Sequence, residues 1–273
     1  MSPFLKSSLH SEDELERDMS QLATVMLADE IRLLGGEPLL NPRIVAILKS
    51  ARASGIAKRV VLTTNGLLLH TMSEEFWANV DEVRVSLYPG ARPTQRLIDQ
   101  SVNRARECGT RLILSEYSSF RVTMVTEPHP SDAITAMIFR TCKNAHLFHC
   151  HLVREGWLYK CACPSYLSEY LGKMGRSGYR AEDDGFDIHG ATNLHEQLWN
   201  FLTNNRTLDA CQHCLGYVGN KQAHHQLTSE GARDARTQPI TRKTHLDKTT
   251  LALASLRYLS RRTMEAFGGK NEW

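Results

Sequence analysis

Seven cysteines are the side chains of this 273-residue sequence with the clearest capacity for chemistry. They are Cys108, Cys142, Cys150, Cys161, Cys163, Cys211 and Cys214. Six of the seven lie within a window of 73 residues in the second half of the chain. In a reducing cytosol such crowding favours metal ligation over disulfide bonds. We therefore predict a metal or cluster site in this half.

Four of these cysteines have spacings that suit one shared site. Thirteen residues separate Cys142 from Gly156, and four more separate Gly156 from Cys161. A glycine at this place is typical of a hairpin turn, which would bring the second thiolate back beside the first. Cys211 and Cys214 form a CxxC pair, a loop that presents two sulfurs to one metal. Together the two pairs supply four thiolates, a set suited to a [4Fe–4S] cluster or to zinc.

Other side chains near this set are alternative ligands. Cys163 follows Cys161 by two residues and could replace it, and Cys150 is a second substitute. Cys108 ends an amphipathic helix and is expected to be a buried apolar residue. Three histidines alternate along a predicted strand in the same region: His146, His149 and His151.

The first half of the chain is predicted to form strands that alternate with helices. These elements must position any site in this half. The predicted strands are 30–34, 58–66, 81–90, 110–117 and 120–127. Strands separated by helices indicate βαβ units and a parallel sheet. Ligands of such folds bind at the carboxyl ends of the strands. We expect a binding site at that edge.

Short polar motifs end three of the predicted strands. They are the stretches LGGEP, TTNG and SLYPG, which would line one rim of the sheet. Gly35 and Gly36 allow the backbone to approach a ligand closely. Their N–H and C=O groups could bind a small zwitterion, and Glu37 could add a carboxylate for an ammonium group.

The order and spacing of these three motifs resemble the radical S-adenosylmethionine (radical SAM) family. In that family the GGE turn holds the methionine amino group of the cofactor, and the two following strand ends complete the site. The resemblance therefore implies that S-adenosylmethionine is bound by Gly35, Gly36, Glu37, Asn65 and Ser86. It also implies an α/β fold, namely a partial (β/α)6 barrel that lacks its first strand.

The cysteine-rich half resembles the auxiliary-cluster domains, called SPASM or twitch, that follow many radical SAM barrels. The resemblance implies one auxiliary [4Fe–4S] cluster on Cys142, Cys161, Cys211 and Cys214, as in the shorter twitch form. We expect three regions in all. They are a partial barrel over residues 1–130, a small α+β cluster domain over 138–220, and a polar tail over 221–273 whose terminal helix spans roughly 247 to 266.

The CxxxCxxC motif that defines the family does not occur in the sequence, which has no cysteine before Cys108. We expect either that the first strand and this motif belong upstream of Met1, or that the chain is a derivative without radical chemistry. A full-length parent would generate a 5′-deoxyadenosyl radical and abstract hydrogen from a small-molecule, carbohydrate or peptide substrate. Flavodoxin or ferredoxin would supply electrons. The chain as given is expected to be inactive alone.

The alternative function is a non-catalytic iron–sulfur or zinc-binding protein with a structural four-cysteine module. Composition does not separate the two, but it bears on partners and location. The net charge is +3 with both signs interspersed, which argues against nucleic acid as a partner. No apolar run approaches the ~18 residues of a membrane span, and no signal-peptide pattern opens the sequence. We expect a cytoplasmic protein.

Overall fold

A computed structural model of the chain describes residue 5 and residues 11–130, 132–224 and 240–266, with side chains up to residue 260. Its first half contains four helices, α1 (Glu12–Ala23), α2 (Ile44–Ala53), α3 (Glu74–Ala78) and α4 (Gln95–Glu107). Between them run four strands, β1 (Ile31–Leu33), β2 (Val60–Thr64), β3 (Glu82–Leu87) and β4 (Arg111–Glu116). Short 3₁₀ turns follow β1 at Pro38–Leu40 and β2 at Leu69–Thr71.

The four strands form one parallel sheet in the order β1-β2-β3-β4. Leu33 lies opposite Leu62, and Ser86 lies opposite Ser115, so neighbouring strands end at one edge. The prediction of an α/β fold with a parallel sheet is confirmed. The sheet has four strands in the part of the chain that the structure describes, and the six-stranded barrel stays a prediction.

The hydrophobic core of this half lies between the sheet and the helices on one of its faces. Strand residues alternate between the two faces, so Leu62 of β2 and Val85 of β3 point to the helices. There they pack with Leu48, Trp77 and Ile98 from α2, α3 and α4. The β-branched composition of β2 and β3 suits this buried, pleated surface.

The opposite face of the sheet carries charge at the amino ends of the strands. Glu82 of β3, with a side chain only 1% exposed, makes ion pairs with Arg84, Arg59 at 3.5 Å and Arg111 at 3.1 Å. Glu30, just before β1, pairs with Arg59 at 3.0 Å and Arg84 at 3.1 Å. Two carboxylates thus tie together residues in or next to all four strands.

The second half is built from shorter elements. Its helices are α5 (Ala133–Arg140), α6 (Lys143–His146), α7 (Ala162–Lys173), α8 (Leu194–Thr203), α9 (Arg242–His245) and α10 (Lys248–Ala266). Its strands are β5 (Ser119–Arg121), β6 (Leu152–Arg154), β7 (Trp157–Tyr159), β8 (Gly185–Asp187) and β9 (Lys221–Ala223). Strands β6, β7 and β8 form an antiparallel sheet, and β5 pairs antiparallel with β9.

Two predicted strands differ in the structure. The strand expected over 120–127 is confined to β5, because the residues after it bond to the CxxC segment instead. Met124 forms a bridge with Cys214, and the Val125 N–H donates to the carbonyl of His213. The strand expected to carry the three histidines is absent at that place, since 143–146 is helix α6 and His149 adopts a left-handed φ of 45°.

The two halves share a buried contact at α1. The carboxylate of Asp18 accepts hydrogen bonds from the Gly156 N–H at 2.8 Å and from Nε2 of His189 at 2.7 Å. Beside it, Leu22 of α1 packs with Leu158 of β7. Polar and apolar contacts together therefore join α1 to the cysteine-rich half.

The three region boundaries predicted from the sequence stay predictions. The terminal helix expected at 247 to 266 is observed as α10. Residues 225–239 and 267–273 of the predicted tail, and 1–4 and 6–10 of the predicted barrel, lie outside the described residues. Within the described ranges, no helix has both the length and the apolar character needed to cross a membrane.

The charged face of the sheet gives a stability prediction. Glu82→Gln removes the charge that three arginines share, while the side chain keeps its size. We expect the free energy of unfolding to fall by about 2 kcal/mol, because buried hydrogen bonds to charged groups are lost. The matched control, Glu116→Gln, breaks an exposed pair with Arg92 and should cost less than about 1 kcal/mol. Urea denaturation measures both, and equal losses would contradict the prediction.

Candidate cluster and cofactor sites

Four cysteines predicted as ligands line a single cavity. They are Cys142, Cys161, Cys211 and Cys214, and Cys163 is a fifth thiol on the same wall. The rest of the wall is apolar and includes Phe139 and Leu208. The structure thus brings together two cysteine pairs that are far apart in the sequence. Their role as ligands stays a prediction.

The first pair is placed by a hairpin. Cys142 lies between α5 and α6, and Cys161 immediately precedes α7. Strands β6 and β7 pair through a two-residue turn in which Glu155 has a φ of 53° and Gly156 a φ of 82°. Two successive left-handed residues are typical of the turns that join twisted strands. The predicted hairpin is confirmed, and it returns the chain to the cavity at Cys161.

The CxxC pair is held by a buried carboxylate. Cys211 lies in a 3₁₀ turn, Asp209–His213. The carboxylate of Asp184 accepts the N–H groups of Asp209 at 2.8 Å and Ala210 at 2.7 Å. The Tyr179 hydroxyl donates to the same carboxylate at 2.9 Å. Asp184 therefore fixes the start of the turn that carries Cys211, and burial raises the pKa of its carboxyl group.

The other end of the CxxC loop is fixed by backbone groups and one histidine. The Gly216 N–H donates to Sγ of Cys214 at 3.2 Å. Gly216 has a φ of 53°, and a Cβ at this position would lie 3.4 Å from Sγ of Cys142. One ring nitrogen of His129 lies 3.3 Å from the carbonyl oxygen of Cys214, and the other lies 2.8 Å from Oγ1 of Thr135.

The positions of the alternative cysteines show which of them could serve as a ligand. Cys163 is buried against the cavity, with Sγ 3.3 Å from Sδ of Met124. Cys150 is exposed, and Cys108 is half-buried against the core of the first half. Neither of these two lines the cavity. Cys163 is therefore the one alternative ligand that the cavity supports.

The environment of the cavity disfavours the thiolate form of most of its cysteines. Burial raises the pKa of Cys142, Cys161 and Cys211. The proximity of Cys214 raises the pKa of Cys163, and the same pairing lowers the pKa of Cys214. A bound cluster would displace the protons of the neutral thiols. Across the described ranges, no three His, Cys, Asp or Glu side chains converge closely enough to hold one metal ion.

The predicted cofactor residues lie at the carboxyl edge of the parallel sheet. Gly35 and Gly36 follow β1, and a Cβ added to either would meet nothing within 4 Å. The Glu37 carboxylate accepts hydrogen bonds from Oγ1 of Thr64 at 2.7 Å and from the N–H of Asn65 at 2.8 Å. Glu37 thus joins the ends of β1 and β2, and it leaves the backbone of the two glycines open.

The other two predicted residues lie on the neighbouring strand ends. Oδ1 of Asn65 accepts the Leu67 N–H at 2.9 Å, which closes the turn after β2. Gly66 follows with a φ of 78°, and a Cβ there would lie 2.6 Å from Val85. Ser86 is buried near the end of β3. The structure brings the GGE and TNG turns into direct contact and places Ser86 one strand further on.

Known proteins resemble part of this chain. GTP 3′,8-cyclase of Streptomyces coelicolor is 37% identical over 83 residues, which are 30% of this chain and 24% of that protein. The enzyme of Rippkaea orientalis is 33% identical over 84 residues, 30% of this chain and 26% of that protein. That of Trichodesmium erythraeum is 29% identical over 102 residues, 37% of this chain and 31% of that protein. No protein-family model matches the chain.

The chain matches about a quarter of the length of the curated relatives. These relatives are radical SAM enzymes, which use [4Fe–4S] clusters and S-adenosylmethionine. The similarity supports, for the matched part of the chain, a relation to the radical SAM superfamily. The four-stranded parallel sheet is compatible with part of such a fold.

Two adjacent aspartates offer a test of the support around the CxxC loop. Asp184→Ala removes the acceptor of two N–H groups, whereas Asp183→Ala changes an exposed neighbour. We expect Asp184→Ala to lower the affinity of the site for its metal about 10- to 100-fold, the usual effect of losing a partner behind a ligand. Iron retained against a chelator measures this. Equal retention in the two variants would show that Asp184 does not support the site.

Proposed function

We propose that this chain is a radical SAM-type iron–sulfur protein, which binds an auxiliary [4Fe–4S] cluster and S-adenosylmethionine at two separate places. The observation that carries the proposal is that Cys142, Cys161, Cys211 and Cys214 all line one cavity. Thiolates are the usual protein ligands of such clusters. In this proposal the second half is a twitch-like auxiliary-cluster domain.

The spacing of the thiols favours a cluster over a single zinc ion. Zinc binds sulfur at ~2.3 Å in a tetrahedron, which draws four sulfurs closely around one point. In the described part of the chain no three such side chains lie close enough together to hold one metal ion, so thiols spread around one apolar cavity suit a larger inorganic group. The Gly216 N–H already donates to Sγ of Cys214, and such bonds to ligand sulfurs are common at iron–sulfur clusters.

The carboxyl edge of the sheet is proposed to hold S-adenosylmethionine. The carbonyl groups of Gly35 and Gly36, in a turn where an added Cβ would meet nothing within 4 Å, would accept hydrogen bonds from its ammonium group, while Glu37 and Asn65 hold the two turns in place. Ser86 would contact the ribose. When bound, S-adenosylmethionine supplies the 5′-deoxyadenosyl radical that abstracts hydrogen from substrate. That step needs a further cluster, so we assign to this sequence the binding of cofactor and auxiliary cluster.

Substrate and partners follow the same proposal. The similar cyclases act on a small molecule, as their name states, and we propose a small-molecule substrate for this protein as well. Carbohydrates and peptides are the other classes implied by the family. The auxiliary cluster would bind substrate or carry electrons, and a flavodoxin or ferredoxin would be the electron donor.

The metal content of the purified chain tests the cluster. After anaerobic reconstitution we expect about four irons and four acid-labile sulfides per chain, the content of one [4Fe–4S] cluster. Cys211→Ala combined with Cys214→Ala should abolish both, whereas Cys150→Ala, an exposed control, should change neither. Zinc is measured in the same sample. One zinc and no iron would contradict the proposal and indicate a structural metal module.

The glycine turn tests cofactor binding. Gly36→Val places a side chain in open space, so the fold should be kept while the approach of a ligand is blocked. We expect S-adenosylmethionine to bind the wild-type chain at least 10-fold more tightly than this variant, which corresponds to a loss of about 1.4 kcal/mol in binding free energy. Isothermal titration measures it, with Leu40→Val as an exposed control on the same edge. Unchanged affinity in Gly36→Val would remove the turn from the site.

A further inference from the structure

One buried cation next to the cysteine cavity has no counter-charge in the described part of the chain. Lys160 directly precedes Cys161 and is only 2% exposed. Its ammonium group donates to the backbone carbonyl of Asn204, and to Oδ1 of the same residue at 3.2 Å. Both acceptors are neutral. Over the residues that the structure covers, Lys160 makes no ion pair.

The surroundings of this ammonium group are aromatic and lead to the cavity. It lies 5.6 Å from the ring centre of Phe201 and 6.0 Å from that of Phe139. Phe139 itself lines the cavity and packs against Cys142. A positive charge is thus held in a dry environment near Phe139, whose ring also lines the cavity, and it is fixed in place by neighbouring residues.

A buried charge without a partner costs several kcal/mol, so such groups normally pair with an opposite charge. The charged side chains nearest to Lys160 along the chain, Arg154 and Glu155, pair with each other instead. Four thiolates around a [4Fe–4S] cluster carry a net negative charge, which one added electron increases by one unit. The bound cluster would supply the missing counter-charge.

We propose that Lys160 is the counter-charge of the auxiliary cluster and raises its reduction potential. The inference rests on the proposed function, because it requires a cluster in the cavity. When a donor gives one electron to the oxidised cluster, the extra negative charge stays on the cluster, and Lys160 stabilises the reduced form more than the oxidised form. Attraction in a low-dielectric interior is strong and weakly screened by salt. Lys160 therefore acts on the cluster through its positive charge and touches no substrate.

Reduction potentials of matched variants test this inference. Lys160→Met and Lys160→Gln remove the charge, and the glutamine keeps a donor for Asn204. Lys160→Arg keeps the charge. Lys173→Met removes a charge at the exposed end of α7 and serves as the control. The reconstituted chain is titrated with dithionite as the one-electron donor, and the reduced cluster is followed by its electron paramagnetic resonance signal.

We expect both neutral variants to have a more negative midpoint potential than the wild type, by an amount that persists at high salt. Lys160→Arg should stay near the wild-type value, and the shift of Lys173→Met should be small and vanish with salt. Potentials in Lys160→Met and Lys160→Gln equal to the wild type would overturn the inference.

Two further outcomes are also decisive. If both neutral variants fail to take up iron while Lys160→Arg takes up the wild-type amount, the charge is required for binding itself, which supports the inference. If Lys160→Arg fails as well, the residue has a packing role and the inference is overturned. A wild-type chain that takes up no iron would instead refute the proposed function, so the two failures are distinguishable by the iron content of the wild type.

Discussion

The burial of several thiol groups around one cavity is the constraint on which the second half of the protein depends. Burial disfavours an ionised sulfur, and a metal that shares the charge removes this cost. The elements around them serve to hold their positions. A hairpin turn at Gly156 returns one segment to the cavity, and the carboxylate of Asp184 holds the other. Little regular secondary structure is needed where side-chain contacts fix the loops this well.

In the first half a single carboxylate has a comparable role at the carboxyl edge of the parallel sheet. Glu37 bonds to the end of β2 and so keeps two glycines in an open turn beside it. Asp18 then joins this half to the hairpin through the Gly156 N–H and His189. Each of these acidic groups works by satisfying backbone donors that would otherwise be left without partners. Buried or half-buried carboxylates thus hold the turns at both proposed sites.

Features that depend on neighbouring residues could be predicted from the sequence, whereas features that depend on residues far apart in the chain could not. The strands β2 and β3 and the turn at Gly156 were predictable, because β-branched runs and turn residues are local signals. Asp184 was not, since its partners lie 25 residues away and its neighbour Asp183 looks identical in the sequence. The strand expected at 120–127 was shortened for a similar reason. Its apolar residues fit a strand, but their partner, the segment that carries Cys214, is distant in the sequence.

The hairpin limits how the number of residues between Gly156 and Cys161 can vary in related chains. Successive side chains of a strand alternate between faces, so along β7, which ends at Tyr159, Leu158 points to one face and Tyr159 to the other. The backbone is also extended at Cys161, so its side chain is expected on the face of Tyr159. Inserting one residue between Gly156 and Cys161 would turn the cysteine side chain to the other face. Only insertions or deletions of an even number of residues would therefore keep its sulfur facing the cavity. The segment from Cys142 to the turn contains a helix and a loop, so this restriction on its length does not apply. Natural variation in length should therefore fall before the turn.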